Sequence, residues 1–158
     1  MRSLVLYYSF GGNTREIADK IAEETGSDRE EIRIDRKIDS SNFLQYSWDS
    51  EKKNFKVLDV EKDPEEYDLI FLGTPVWAWA PAPPIYAFFE KYPLKGKEIA
   101  VFSTSEGDCG NCFERIRSIL KGNKILKHKE FVIPPSGEMG DIKDEAGRWA
   151  GKVIKSRK

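Results

Sequence analysis

Two rhythms of apolar residues alternate along this chain, one suited to strands and the other to helices. Ser3 to Tyr8 is a short apolar run that predicts a buried strand. Asn13 to Thr25 then changes to helical spacing, with Ile17 and Ile21 on one face beside Ala18 and Ala22, and Gly26 follows as the stop. Glu31 to Asp35 alternates as a second strand, and Tyr67 to Gly73 gives a third, apolar enough to be covered on both faces. Pro84 to Tyr92 predicts a helix with Ile85, Phe88 and Phe89 turned inward, and Lys97 to Phe102 a fourth strand. Cys112 to Leu120 continues as a helix carrying Phe113, Ile116 and Leu120, and Lys129 to Ile133 is the predicted fifth strand. Asp141 to Lys155 closes the pattern as a helix with Ile142, Ala146, Trp149 and Val153 on one stripe.

Strands that alternate with helices imply a mostly parallel sheet, because parallel neighbours need a crossover longer than a turn. The predicted fold is therefore α/β: a three-layer, open, doubly wound domain spanning residues 1–158, with helices on both faces of a five-stranded sheet. Arg36 to Asp63 interrupts the alternation where a crossover helix would ordinarily stand. This segment is polar, with scattered Phe43, Leu44, Tyr46, Trp48 and Phe55, and is expected to be irregular apart from some helix around Asn42 to Tyr46.

Composition narrows the partners more than the fold. A length of 158 residues with 39% hydrophobic content suits one core. Charged residues make up 34%, yet the net charge is -1, so no strong field favours nucleic acid or an anionic membrane. The uncharged stretch from Leu69 to Phe89 is interrupted by prolines and does not read as a membrane span. Met1 to Phe10 enters the strand pattern with no secretory leader, so a cytoplasmic location is expected. His128 is the one histidine, set between Lys127 and Lys129, and takes no assigned role; no metal set is apparent. Cys109 and Cys112 form a single C-x-x-C, too few for a zinc site or a disulfide framework.

The chemistry concentrates in Tyr8-Ser9-Phe10-Gly11-Gly12-Asn13-Thr14, between the first strand and the first helix. Backbone N–H groups of such a turn, the positive end of the helix dipole and the hydroxyls of Ser9 and Thr14 converge on a point that suits a phosphate. The loop contains no lysine or arginine, so recognition there would be by dipoles. The plainer alternative is a strand-to-helix turn with Asn13 or Thr14 as helix cap. The pattern is neither G-x-G-x-x-G nor a Walker loop, which favours a monophosphate over a dinucleotide or a nucleoside triphosphate.

This loop resembles the Ser/Thr-x-Thr/Gly-Gly-Asn-Thr phosphate loop of the flavodoxin family. Gly73-Thr74-Pro75-Val76-Trp77, after the third strand, is similar to the family's second flavin loop. Ser103-Thr104-Ser105-Glu106-Gly107-Asp108, after the fourth, occupies the place of the third. The resemblance implies strand order 2-1-3-4-5 and a ligand at the carboxyl edge of the sheet. It implies non-covalent FMN, with Ser9, Phe10, Gly11, Gly12, Asn13 and Thr14 around the phosphate. Thr74, Pro75, Val76, Trp77, Ala78 and Trp79, with Ser103, Thr104, Ser105, Glu106, Gly107, Asp108, Cys109, Gly110 and Cys112, would border the isoalloxazine ring. Either Trp77 or Trp79 would cover that ring; the alternative is that the indoles pack on the following helix.

Two features depart from the family pattern. Many flavodoxins place a glycine in the second loop, where a peptide turns over to offer its carbonyl to the reduced flavin N5–H, but no glycine lies between Thr74 and Pro84. Ala78, Gly107 and Gly110 are the substitutes available. Cys109 and Cys112 would sit at the flavin rim and the start of a helix, where the dipole lowers a thiol pKa, and so form a candidate redox pair; the plainer reading is a reduced pair packing the helix start.

Three functions follow from this reading. The first is a low-potential electron carrier that is expected to be monomeric and to dock donor and acceptor redox proteins. The second is an FMN-dependent NAD(P)H:quinone or flavin reductase, which needs a second pocket over the ring. The third is a flavin-free binding or signalling module, disfavoured because Leu72-Gly73-Thr74 offers no phosphoacceptor aspartate at the end of the third strand.

Overall fold

The computed structural model describes residues 1–38, 56–107 and 109–157. Among these residues, six strands and four α-helices, labelled here in chain order, are β1 (Ser3–Tyr7), α1 (Asn13–Thr25), β2 (Asp28–Glu31), β3 (Leu69–Trp77), β4 (Ala80–Pro81), α2 (Pro83–Lys91), β5 (Glu98–Ser105), α3 (Cys112–Ile119), β6 (Lys124–Val132) and α4 (Gly140–Ser156). A short 3-10 turn, Pro64–Glu66, precedes β3. The main sheet is parallel with order β2-β1-β3-β5-β6. It is the predicted 2-1-3-4-5 order with one added piece, β4, which pairs antiparallel with β3. Among the described residues, no helix is long and apolar enough to cross a membrane.

Period-two alternation in the central strands divides the core into two. Leu4, Leu6, Ile70 and Leu72 face the side covered by α2 and α3, where Ile85, Phe88 and Ile116 are buried. Val5, Tyr7, Leu69 and Phe71 face α1 and α4, where Ile17, Ile21, Ala146 and Val153 are buried. On this second side Trp149 meets Phe71, Phe102 and Phe131 edge to face, with ring centroids 6.1, 6.4 and 6.1 Å away. Helix limits fall within about one residue of those predicted, the scatter usual at frayed ends.

Strand limits depart further, each for a local reason. The second strand, predicted at Glu31 to Asp35, is Asp28–Glu31. Its polar sequence conceals a buried carboxylate: Glu30 accepts the N–H groups of Glu61 and Lys62 at 3.2 and 3.1 Å. Ile34 turns away from β1 to bridge Val57, so the Ile32 and Ile34 alternation records packing against the returning chain. The fifth predicted strand begins earlier, at Lys124, because β6 is a charged sheet edge whose lysines weaken the apolar pattern. β3 and β5 extend beyond Gly73 and Phe102, so Thr74 to Trp77 and Ser103 to Ser105 are strand and not loop. Pro75 is tolerated there because β1 has already ended, at Tyr7 opposite Gly73. The helix predicted around Asn42 to Tyr46 lies outside the described residues.

Gly73 marks a tight approach between the adjacent strands β3 and β5. A methyl group on it would lie 2.2 Å from Cζ of Phe102, its register partner in β5 and a fully buried ring. Gly73→Ala is therefore expected to lower the unfolding free energy by about 1 to 3 kcal/mol in urea denaturation. Gly107→Ala, which would add its methyl to open space, serves as the neutral control.

Candidate functional site

β1 stops at Tyr7 while β3 continues to Trp77 and β5 to Ser105, leaving a step at the carboxyl edge of the sheet. A cleft of about 420 Å3 fills this step, lined by Phe10, Gly11 and Asn13 from the first loop, Pro75, Val76 and Trp77 from β3, and Thr104, Ser105 and Glu106 from the end of β5, with Ile133 after β6. That volume is within the range of small-ligand sites. Nine of the sequence-predicted residues thus share one wall system. Ile133 was missed, although it follows the last strand on the same edge and a reading of every strand end would have included it.

The first loop is shaped by backbone conformation. Gly11 and Gly12 have φ of +78° and +101°, and a methyl on either would meet nothing within 4 Å. Gly12 caps α1, and Asn13 is its first helical residue, so neither Asn13 nor Thr14 is the cap that the plainer sequence reading proposed. The first bond of the helix runs from Glu16 N–H to Gly12 O at 3.0 Å, which leaves the preceding amides directed out of the helix start. Ser9 Oγ accepts the N–H of Arg15 at 3.2 Å. Thr14 is buried and its hydroxyl is 2.7 Å from that of Thr104. One O–H is used between the two, so the pair keeps a single O–H donor beside the cleft.

The cleft wall is aromatic on one side. Trp77 is buried and stands edge to face with Phe10 at 5.2 Å and with Tyr8 at 6.0 Å. Burial, aided by the Glu31 carboxylate, pushes the Tyr8 phenol up to about 12. Thr74 is buried away from the cleft: its hydroxyl donates to Pro75 O at 2.8 Å and accepts Ala82 N–H at 3.1 Å, tying β3 to the start of α2. Ser103 is likewise interior, and its hydroxyl has no partner among the described residues. The Ser105 hydroxyl donates to Gly107 O at 2.7 Å and closes the turn after β5.

Trp79 separates from Trp77. It is 57% exposed, does not line the cleft, and forms with Ala78 the two-residue turn between β3 and β4. Both turn residues have positive φ, 50° for Ala78 and 61° for Trp79, where a Cβ costs about 1 to 2 kcal/mol per residue. The hairpin was not apparent in the sequence because Ala-Trp lacks the Asn-Gly type of turn signal. Ala78 already occupies the left-handed region, and Gly110 is packed against Trp79. Gly107 has open space around it.

Charge near the cleft is low. Among the described residues, Glu106 is the ionisable side chain in the lining. Arg15, next to the first loop, is held by Glu31, with Nη2 at 3.0 and 2.8 Å from the two carboxylate oxygens and Nε at 3.2 Å. These features suit a ligand with an anionic end met by backbone amides and a flat apolar end met by an indole. Asp108 lies outside the described residues.

Cys109 and Cys112 are buried thiols outside the cleft lining, with Cys112 N–H donating to Cys109 O at 3.1 Å. The expected lowering of the thiol pKa at the helix start is reversed at Cys112. Burial first, then the neighbouring Cys109 and Glu130, push it from the ordinary 9.0 up to about 12.

Comparison with known proteins gives a family and a set of shared folds. A family model described as flavodoxin matches residues 2–132. Among solved structures, a flavoprotein in complex with FMN from Lactobacillus acidophilus NCFM is 26% identical, with a TM-score of 0.68 over 82% of this chain and 92% of that one. Oxidised flavodoxin 2 from Bacillus cereus is 19% identical, with a TM-score of 0.63 over 99% of each chain. A flavodoxin from the domain Archaea is 17% identical, with a TM-score of 0.52 over 98% of this chain and 99% of that one. No curated protein matches.

The thiol environment gives a test. Unfolded chains release the Cys112 proton near 9.0 and the folded chain near 12, so the folded state holds more protons across that window and its stability falls as pH rises through it. Denaturation midpoints of Cys112→Ala should therefore decline less steeply above about pH 9 than those of the parent. Iodoacetamide at about pH 8 should modify Cys112 only after unfolding.

Proposed function

We propose that this chain, which belongs to the flavodoxin family, holds one FMN non-covalently in the carboxyl-edge cleft and serves as a low-potential electron carrier between partner proteins. The single observation that carries the reading is the pairing, in one cleft, of the Gly11 to Asn13 helix start with the apolar wall of Phe10, Val76 and Trp77.

The residues present fit the group. Gly11 and Gly12 leave the backbone bare where a phosphate would approach, and the amides at the start of α1 supply dipoles without a cation. The Thr14 and Thr104 pair adds an O–H donor, fixed in place because it also joins α1 to β5. Trp77 offers an indole held by Tyr8 and Phe10, so an aromatic wall is ready without reordering a mobile side chain. Bound FMN supplies the one- and two-electron chemistry.

Carrier rather than reductase is favoured by the electrostatics of these residues. No lysine or arginine among the described residues lines the cleft, Glu106 does, and Glu31 neutralises Arg15. This environment resists added negative charge and so lowers the reduction potential of a bound ring.

FMN titrated into cofactor-free protein should bind with quenching of its yellow fluorescence. Gly12→Ala strains the +101° backbone of the amide cradle and should weaken FMN roughly tenfold while leaving riboflavin, which has no phosphate, nearly unaffected. The measured potential should lie below that of free FMN. NADH or NADPH alone should fail to bleach the flavin on the time scale of turnover; rapid bleaching would identify a reductase instead.

A further inference from the structure

The turn between β3 and β4 is built from residues that do not favour it. Trp77 pairs with Ala80, and the intervening Ala78 and Trp79 are both left-handed. Asn-Gly adopts this geometry unaided, whereas Ala-Trp brings two Cβ atoms against the backbone. Contacts outside the turn must therefore hold it.

One such contact is with Gly110. A methyl on Gly110 would lie 2.5 Å from Cδ1 of Trp79 and 2.8 Å from its Cβ, so the indole rests on a bare backbone. Gly110 has φ of +54°, which independently disfavours a side chain. β4 packs on α3, the helix that follows Gly110, so the hairpin and the segment from Cys109 to Cys112 meet at a second place. At the other end of the turn, Trp77 is buried in the cleft wall while Trp79 stays largely in solvent. Trp79 thus gains little from burial and nothing from the cleft, yet occupies a costly conformation.

We propose that Trp79 and Gly110 form a latch that holds the left-handed Ala78–Trp79 turn and thereby sets Trp77 as the wall against the ring end of the ligand. The inference rests on the FMN reading for the identity of that ligand. Trp79 and Gly110 are positioning residues, acting on the ring through Trp77. The two ends of the cleft are then governed separately: the phosphate end by the Gly11 and Gly12 backbone, the ring end by the latch.

Titrating cofactor-free variants with both FMN and riboflavin tests this separation. Trp79→Ala should weaken the two ligands by the same factor, roughly tenfold, as expected for misplacing one aromatic contact. Replacing the turn by Ala78→Asn together with Trp79→Gly, which needs no latch, should recover both affinities relative to Trp79→Ala. Gly110→Ala should behave like Trp79→Ala in the parent and have a smaller effect beside the Asn-Gly turn, where no indole is displaced. NMR backbone couplings at residues 78 and 79 supply a readout independent of flavin: left-handed in the parent, lost in Gly110→Ala. If Gly110→Ala does not fold, Trp79→Ala and the Asn-Gly turn carry the comparison. Affinities of Trp79→Ala within about twofold of the parent would overturn the latch, as would an Asn-Gly turn that recovers nothing, since the indole would then act by direct contact. A parent that binds neither flavin overturns the FMN reading instead, and the couplings still decide whether the latch exists.

Discussion

Unequal strand lengths at the carboxyl edge underlie the whole arrangement. β1 ends where its partner β3 reaches Gly73, and β3 and β5 then continue together through Thr74 and Ser103, Pro75 and Thr104. A parallel sheet can have such a step because each strand end is set by its own crossover. The lower level of the step holds the start of α1, with its outward amides, and the higher level carries Trp77 and Ser105. Dipoles and apolar surface therefore meet at different heights of one cleft, which is what a ligand with a charged end and a flat end requires.

Several polar contacts maintain the step. The hydroxyls of Thr14 and Thr104 join helix to strand beneath the cleft floor. Thr74 binds the far end of the β3–β4 hairpin to the start of α2. Ser9 takes the amide of Arg15, while the side chain of Arg15 is occupied by Glu31. Hydroxyls that read in the sequence as ligand contacts are thus partly structural, and backbone and aromatic groups take a larger share of the ligand-facing surface beside Thr104 and Ser105.

The repeated rhythm of strands and helices made the layers legible, the strand order came from the resemblance to the flavodoxin loops, and Gly11-Gly12-Asn13 located the cleft because its position at a strand-to-helix junction carries information that the glycines alone do not. What could not be read has physical causes. Glu30 hid β2, because a buried carboxylate satisfied by two amides looks like any exposed one in a sequence. Ala78-Trp79 hid β4, because its turn is held by distant contacts and not by its own preferences. The helix-start argument for Cys112 failed because desolvation outweighs a dipole once the thiol is enclosed.

The chain between β2 and β3 leaves and returns through a narrow base. Ile34 bridges Val57, Asp35 N–H donates to Lys56 O at 2.9 Å, and Leu58 N–H donates to Arg33 O at 2.8 Å. Lys91 of α2 fastens the return strand through Val57 O at 2.7 Å. Two ends held this closely make the position a natural port for protein engineering: a reporter domain spliced between Asp35 and Lys56 would enter and leave at nearly one point, with its closure entropy already met by the host scaffold.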